Sequence, residues 1–242
     1  MKLGGSVITD KSKPFTYRSD VTSALAEEMS SSDERVVVVH GGGSFGHQVA
    51  RQHGLSSEIG SPTGQGVSQT RSAMYELNTL VCRTMSEFRL SPYPFAPFDI
   101  VSKAKTGAAG QWLRGLLKAK LVPVTFGDVC LMTDGFRVLS GDVIVYELAK
   151  ILRPERCVFA LDADGVYEES SRVIIPDLTP SRIRKMRVPP GEDATGGMKT
   201  KLDMAVRIAS IGSKACFVSG YRRNEFSKAI RGLDFYGTVV KS

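Results

Sequence analysis

Short apolar runs alternate with helical patterns along almost the whole chain. Four runs have the length and composition of buried strands, at residues 36–39, 122–126, 157–161 and 216–218. The stretches between them carry the 3.6-residue period of amphipathic helices, at residues 21–29, 67–88, 143–152 and 198–211. This alternation predicts an α/β fold, namely a three-layer αβα sandwich around a mainly parallel central sheet.

Two features modify the parallel pattern. The apolar runs 129–133 and 136–139 flank Asp134 and Gly135, a pair typical of a hairpin turn, so antiparallel additions to the sheet are expected. The proline-rich stretch 91–98 is interpreted as a connector. Because the chain has no internal repeat and no linker that would divide it, one domain over residues 1–242 is predicted.

Composition and charge narrow the possible classes of function. No run of about 18 apolar residues is present, and no apolar signal core follows the opening MKLGGS, so a cytoplasmic protein without a membrane partner is predicted. The four cysteines lie far apart, so free thiols and no metal-binding side-chain cluster are expected. The net charge of +7 suits anionic small substrates. Because the basic residues are dispersed without interleaved aromatic residues, a nucleic-acid partner is not expected.

The most informative motif is HGGGSFGH at residues 40–47, between a predicted strand and a predicted helix. Its consecutive glycines let the backbone approach a ligand, and the helix N-terminus adds partial positive charge, so an anion-binding loop is predicted. The glycine spacing also fits the GxGxxG pattern of dinucleotide-binding folds. However, residues 63–66 read TGQG where that fold needs an acidic residue, and no Walker A sequence is present, so both nucleotide-binding types are disfavoured.

Four further segments lie where predicted strands end, the edge at which open α/β sheets bind ligands. They are KLGGSVITDK at residues 2–11, SGDVIVYELAK at 140–150, LDADGVY at 161–167 and DATGGMKTK at 193–201. Together they supply glycine-rich loops, lysines and one aspartate before a helix, while Thr195 is placed to cap the last helix. Neither a Ser-His-Asp nor a Cys-His arrangement is evident. Phosphoryl transfer needs residues of these types, because its catalysis consists mainly of positioning the reactants and neutralising charge on the transferring oxygens.

In this order and spacing, the five motifs resemble the amino acid kinase superfamily, and within it the isopentenyl phosphate kinases. The resemblance extends to GTVVK at residues 237–241 and covers essentially the whole chain. The second histidine of HGGGSFGH favours the isopentenyl phosphate kinases within the superfamily, since the related carbamate, acetylglutamate and uridylate kinases usually lack it. The resemblance implies ATP-dependent phosphorylation of isopentenyl phosphate to isopentenyl diphosphate with Mg²⁺, in an alternative mevalonate pathway typical of archaea, by a homodimer.

The resemblance also implies roles for individual residues. Lys2 would hold phosphates near the transferring group, and Lys11 would stabilise charge in the transition state. His47 would donate a hydrogen bond to the acceptor phosphate, and Asp142 would orient the lysines. The residues implied in acceptor binding are Gly42, His47 and Gly141. Those implied in ATP binding are Lys2, Gly4, Gly5, Ser6, Gly43, Asp162, Gly165, Gly197 and Lys201.

The chain departs from the family pattern in three places. Only Met1 precedes Lys2, so a short first strand is expected, or a true start that lies upstream. Val143 replaces a second aspartate, and Leu161 replaces a threonine that often precedes the DADG motif. These changes affect details of metal and nucleotide contact and leave the reaction class unchanged.

Alternatives remain for single residues and for the activity. Lys13 competes with Lys11, Lys199 competes with Lys201, and His40 is either a structural residue or a ligand. One edge of the helix at 67–88 could line the pocket for the isoprenoid tail. The motifs also fit a kinase for another small phosphonate or monophosphate, such as a fosfomycin kinase, for which a small polar acceptor pocket is expected. A non-catalytic ligand-sensing module is disfavoured, because a sensor has no need of the charge-neutralising lysines.

Overall fold

The computed structural model describes residues 1–56, 58, 62–97, 107–133, 135–168, 171, 173–187 and 197–242. The strands are β1 (Lys2–Leu3), β2 (Val38–His40), β3 (Pro92–Pro94), β4 (Val122–Phe126), β5 (Asp128–Met132), β6 (Gly135–Leu139), β7 (Arg156–Leu161), β8 (Asp177–Leu178), β9 (Lys214–Ser219) and β10 (Gly237–Val240). The helices are α1 (Gly5–Ile8), α2 (Ser19–Ser30), α3 (Gly43–Gln52), α4 (Gly64–Glu87), α5 (Ala108–Lys118), α6 (Gly141–Leu152), α7 (Pro180–Lys185), α8 (Gly197–Ser210) and α9 (Glu225–Arg231).

The central sheet has the strand order β3-β4-β2-β1-β7-β9-β10-β8. Neighbouring strands from β3 to β9 are parallel, whereas β10 runs antiparallel to β9. The short strand β1 lies at the centre, where Lys2 is in register with Val39 of β2 and Phe159 of β7. The carboxyl ends of these three strands therefore meet at one edge of the sheet, and each is followed by a predicted ligand-binding motif.

Helices cover both faces of this sheet. On one face, Val38, Val158 and Val218 pack with apolar residues of α2, α3, α4 and α9. On the other face, their strand neighbours Val39 and Phe159 pack with α5, α6 and α8. Because successive residues of a strand enter opposite cores, the strands appear in the sequence as continuous apolar runs. The predicted three-layer sandwich with a mainly parallel sheet is confirmed.

Most predicted elements are present, with bounds that differ by a few residues. The antiparallel pair of β5 and β6 confirms the predicted hairpin, although Asp134 lies outside the described residues. The interpretation of 91–98 as a connector was wrong in part, because Pro92–Pro94 forms β3. This strand lies at the edge of the sheet, where one side needs no backbone donors and prolines are tolerated. Phe98 lies outside the described residues.

Candidate active site

Two glycine-rich loops meet backbone to backbone at the carboxyl ends of β1 and β2. A Cβ atom on Gly5 would overlap the Gly43 nitrogen, and one on Gly41 would lie 2.6 Å from the Gly5 nitrogen. Gly43 also has a φ of +48°, a left-handed conformation that favours glycine. Thr9 fastens the contact, because its hydroxyl donates to the Gly5 carbonyl and accepts from the Ser44 amide at 2.9 Å. The glycines are thus required by the close approach of the two loops.

A cavity beside these loops, called here the central cavity, collects most of the predicted site residues. Its walls come from the carboxyl ends of β1, β2 and β7, from α1, α3, α4, α6 and α8, and from the β5–β6 hairpin. The predicted residues that line it are Lys2, Gly4, Gly5, Ser6, Lys11, Gly42, His47, Gly141, Asp142 and Lys201. Lys201 and His47, which lie far apart in the sequence, therefore share one cavity. Basic side chains and glycine loops from distant parts of the sequence thus converge on one cavity.

Four predicted residues do not line the central cavity. Gly43 lines a more open neighbouring cavity, which Lys11 and His47 also line. The Gly197 carbonyl accepts a hydrogen bond of 3.4 Å from Lys201 Nζ, so Gly197 adjoins the site. Asp162 is exposed after β7, and Gly165 is buried where a Cβ would lie 2.8 Å from Thr238 Oγ1. Packing alone thus accounts for the glycine at position 165. Thr195 lies outside the described residues.

A buried carboxylate holds two lysines at the cavity. Asp142 is 2% exposed, and its Oδ1 lies 2.6 Å from Lys2 Nζ while its Oδ2 lies 3.6 Å from Lys201 Nζ. Ser140 caps α6 by accepting from the Val143 amide, which places Asp142 in the first turn, where a negative charge is favourable. Burial raises the pKa of Asp142, but attraction by Lys2 and then Lys201 outweighs it and holds the pKa below its usual value. Asp142 is therefore ionised and acts as an anchor for both ammonium groups.

The structure distinguishes between the two candidate lysines in each of the two pairs left open by the sequence. Lys11 lines both the central and the neighbouring cavity, whereas the exposed Lys13 lines neither. Lys201 points its ammonium group at Asp142, whereas Lys199 is exposed and does not line the central cavity. Lys11 and Lys201 are therefore the members of each pair that can reach a phosphate in the cavity.

His40 has the features of a structural residue. It is fully buried, its ring stacks on Phe126, and its Nδ1 lies 3.0 Å from the Gly41 carbonyl oxygen. Its Nε2 lies 3.2 Å from Oδ1 of the Asn78 side chain. Burial lowers the pKa of His40 to about 4, so the ring is neutral at physiological pH. His40 does not line the central cavity and instead fixes the start of the glycine loop.

The wall built by α3, α4 and the β5–β6 hairpin has a mixed character. Its apolar members are Ala50, Met74, Val129, Val138 and Leu139. Thr70 and Asp128 also line the cavity on this side, and both are buried. One edge of α4 therefore contributes to the wall, as the apolar pattern of that helix suggested.

Sequence reasoning missed Asp128. It directly follows the β4–Gly127 connection, and it is 2% exposed. Its Oδ1 accepts from the Val129 amide at 2.8 Å, and its Oδ2 lies 3.3 Å from Arg71 Nη2. Burial raises the pKa of Asp128 to about 6, although Arg71 and the Val129 amide oppose the shift. The available signal was an acidic residue at the carboxyl end of a buried strand, the position where α/β sheets collect functional groups.

Asp128→Asn is expected to stabilise the protein at alkaline pH. Because the folded-state pKa of about 6 lies above the ordinary 3.8, ionisation destabilises the fold as the pH rises through this range. At pH 8 the variant should gain about 3 kcal/mol in free energy of unfolding, and the gain should fade toward pH 4. Urea denaturation at both pH values measures this gain, with Asp203→Asn, at an exposed position of α8, as a control. Equal stabilities at pH 8 would contradict the burial of this carboxylate.

Comparisons with known proteins agree with this geometry. The sequence profile described as the amino acid kinase family matches residues 1–219. The chain is 30% identical over 247 residues to the isopentenyl phosphate kinase of Thermoplasma acidophilum, with 100% of this chain and 99% of that protein covered. It is 35% identical to the isopentenyl phosphate kinase of Haloferax volcanii, over 89% of this chain and 88% of that protein. Superposition on the crystal structure of the T. acidophilum isopentenyl phosphate kinase product complex gives a TM-score of 0.80 at 27% identity, covering 99% of this chain and 98% of the other.

Proposed function

The chain belongs to the amino acid kinase family, and from this premise we propose that it transfers the γ-phosphate of ATP to isopentenyl phosphate. The product is isopentenyl diphosphate, an intermediate of isoprenoid synthesis. The observation that carries the proposal is the convergence of Lys2, Lys11, His47 and Lys201 on one cavity beside two glycine loops. The similarity to isopentenyl phosphate kinases over the full chain supports this acceptor.

The reaction follows from the groups around the cavity. An oxygen of the acceptor phosphate forms a bond to the γ-phosphorus of ATP, and the bond from that phosphorus to the β,γ-bridging oxygen breaks, so ADP leaves. The attacking oxygen is already anionic, so no general base is needed. Asp142 is free of that task, and its part is to hold Lys2 and Lys201 in place. The lysines neutralise charge on the transferring oxygens, which is the main catalytic requirement of phosphoryl transfer.

The two ligands are proposed to lie head to head in the cavity. Gly42, Gly141 and the His47 ring would hold the acceptor phosphate. Lys201, Gly197 and the Gly4–Gly5 turn would hold ATP, and Asp162 and Gly165 would lie toward its nucleoside. Since the glycine loops line the same cavity, their backbone amides can serve either phosphate.

Mg²⁺ is proposed to enter with ATP. When bound, it would neutralise part of the negative charge on the phosphate groups. Within the part of the chain that is described, there is no group of three or more histidine, cysteine or acidic side chains placed to hold a metal ion. Asp142 is engaged by two lysines. We therefore expect the phosphate oxygens, and not protein side chains, to supply most ligands of the ion.

A cytoplasmic location is also proposed. Cys82, Cys130, Cys157 and Cys216 are free thiols, as is usual in a reducing compartment. No helix among the described residues is both long and apolar enough to span a bilayer. The homodimer implied by the family resemblance stays a prediction.

The direct test is ADP release with MgATP against a panel of acceptors. The panel contains isopentenyl phosphate, dimethylallyl phosphate, fosfomycin, acetylglutamate and UMP, with a blank that lacks acceptor. We expect the highest kcat/KM for isopentenyl phosphate. Turnover confined to fosfomycin would replace this acceptor by a small phosphonate, and ADP release independent of any acceptor would contradict the proposal.

His47→Ala is expected to weaken acceptor binding selectively. A hydrogen bond to a charged phosphate is lost, so KM for isopentenyl phosphate should rise about ten-fold or more, while KM for ATP stays near the wild-type value. His53→Ala is the matched control, since His53 follows α3, bonds to Gln69 and lines neither cavity. Initial rates with each substrate varied in turn separate the two constants. An unchanged acceptor KM would assign His47 a purely structural role.

A further inference from the structure

The loop that carries Lys11 is fastened at its far end to the first turn of α3. The Thr16 amide donates to Ser44 Oγ at 3.2 Å, and the Phe15 amide donates to the Ser44 carbonyl at 3.4 Å. The Phe15 ring meets the buried ring of Phe45 edge to face, with ring centroids 5.4 Å apart and an interplanar angle of 79°. Because α3 begins in the second glycine loop, these contacts join the lysine loop to the anion-binding loop.

Phe15 makes this contact from a strained backbone conformation. Its φ is +49°, in the left-handed region, where a bulky residue is an outlier and glycine would be free of strain. Its side chain is 49% exposed, so burial in a core does not account for an aromatic residue at this position. Strained residues persist where surrounding contacts hold them, and they cluster at functional sites. The strain and the ring contact together indicate that Phe15 has a role in placing the loop.

The rest of the loop is a tight turn. Asp10 Oδ1 accepts from the amide and the hydroxyl of Ser12, at 2.9 and 2.7 Å, and the Asp10 carbonyl accepts from the Lys13 amide. The Asp10 amide donates to the Thr16 carbonyl at 2.9 Å and so closes the loop. Lys11 therefore lies in a closed loop, and the position of that loop over the cavities depends on how it is held against α3.

We propose that Phe15 is a positioning residue for Lys11, and that its contact with Phe45 holds the Lys11 ammonium group beside the transferring phosphoryl group. The inference rests on the proposed function. Lys11 lines both the central cavity and its open neighbour, so its long side chain has room in two directions. Fixing the loop against α3 restricts this freedom before the substrates bind, and charge neutralisation in the transition state depends on such preorganisation. Phe15 lines neither cavity, so its effect on the reaction must pass through another residue.

A double-mutant cycle between positions 15 and 11 tests the proposal. Phe15→Gly removes the ring together with the backbone strain, so the variant should fold with a Tm near the wild-type value. With MgATP and isopentenyl phosphate, its kcat should fall about ten-fold, as expected for a misplaced catalytic group, while both KM values stay within about two-fold of wild type. In the Lys11→Ala background, Phe15→Gly should leave kcat unchanged, because the group that it positions is already absent.

Two further variants are matched controls. Phe15→Tyr keeps the edge-to-face ring contact and should retain kcat within about two-fold of wild type. Arg89→Gly relieves a comparable left-handed conformation, since Arg89 has a φ of +61° and is exposed after α4. Arg89 lines neither cavity, so its replacement should not change kcat. Should Phe15→Gly be unfolded, Phe15→Leu takes its place in the cycle with the same expected result.

The possible outcomes separate this inference from the proposed function. An equal loss of kcat on Phe15→Gly in both backgrounds would show that Phe15 acts independently of Lys11, and wild-type kcat in Phe15→Gly would show that the contact has no catalytic effect. Either result overturns the inference and leaves the proposed function in place. If Lys11→Ala itself keeps wild-type kcat, the inference and the role assigned to Lys11 both fall. If wild type does not phosphorylate isopentenyl phosphate, the proposed function falls with them.

Discussion

Replacing Lys11 by alanine is expected to lower kcat by about 10²–10³-fold, the loss typical of removing one donor that stabilises a transition state. The physical reason is the charge that develops on the transferring phosphoryl oxygens, which an ammonium group beside them neutralises. Lys11 lines both the central cavity and its open neighbour, so its side chain can reach this position. Steady-state ADP release with isopentenyl phosphate measures kcat, and thermal unfolding checks that the variant is folded.

Lys13→Ala is the matched control for this prediction. Lys13 lies on the same loop, is exposed and lines neither cavity, so its removal should leave kcat within about two-fold of wild type. If Lys11→Ala retains wild-type kcat while Lys13→Ala loses activity, the two lysines have the opposite roles.

Asp142→Asn is expected to reduce both stability and activity. The substitution leaves the buried Lys2 ammonium without its carboxylate at 2.6 Å, and breaking a buried pair in this way costs about 3–5 kcal/mol. For a chain of this size, that loss corresponds to a fall in Tm of roughly 10 °C. The lysines would also lose their anchor, so kcat should fall together with Tm.

The pH dependence of this effect has a definite sign. The folded-state pKa of Asp142 is held below its ordinary value, so the carboxylate stabilises the fold above that value and loses this effect as the pH falls through the folded pKa. The Tm difference between wild type and Asp142→Asn should therefore be largest near neutral pH and shrink in acid. Asp203→Asn, at an exposed position of α8, controls for the loss of one acidic charge. A Tm equal to that of wild type at pH 7.5 would show that the buried pair is unimportant for stability.

The layered fold was predictable because its strongest signals are local. Strands buried on both faces are continuous apolar runs, and β4 has the predicted bounds at Val122–Phe126. Long helices show the 3.6-residue period, as α4 does. The sequence pattern did not predict α1, α5, α7, α9, β3, β8 or β10. Of these, α7 has six residues and β8 has two, so neither is long enough to display a period.

The same distinction between local and long-range signals applies to the residues of the site. Glycine loops and lysines were predictable because their chemistry lies within short motifs, as in HGGGSFGH. The structural role of His40 depends on its stacking with Phe126, and the ion pair of Asp128 with Arg71 depends on the packing of α4 against β5. Such contacts join residues far apart in the sequence, and no single motif records them.

The proposed function requires that two phosphorylated molecules meet in one cavity and that the phosphoryl group passes directly between them. Incubation with isopentenyl phosphate and ATP labelled with ¹⁸O on the γ-phosphate tests this, with the product's terminal phosphate examined by mass spectrometry. The predicted result is isopentenyl diphosphate that carries the labelled oxygens on its terminal phosphate, formed in equal amount to ADP. ADP accompanied by labelled inorganic phosphate, with no labelled diphosphate, would contradict the proposed direct transfer.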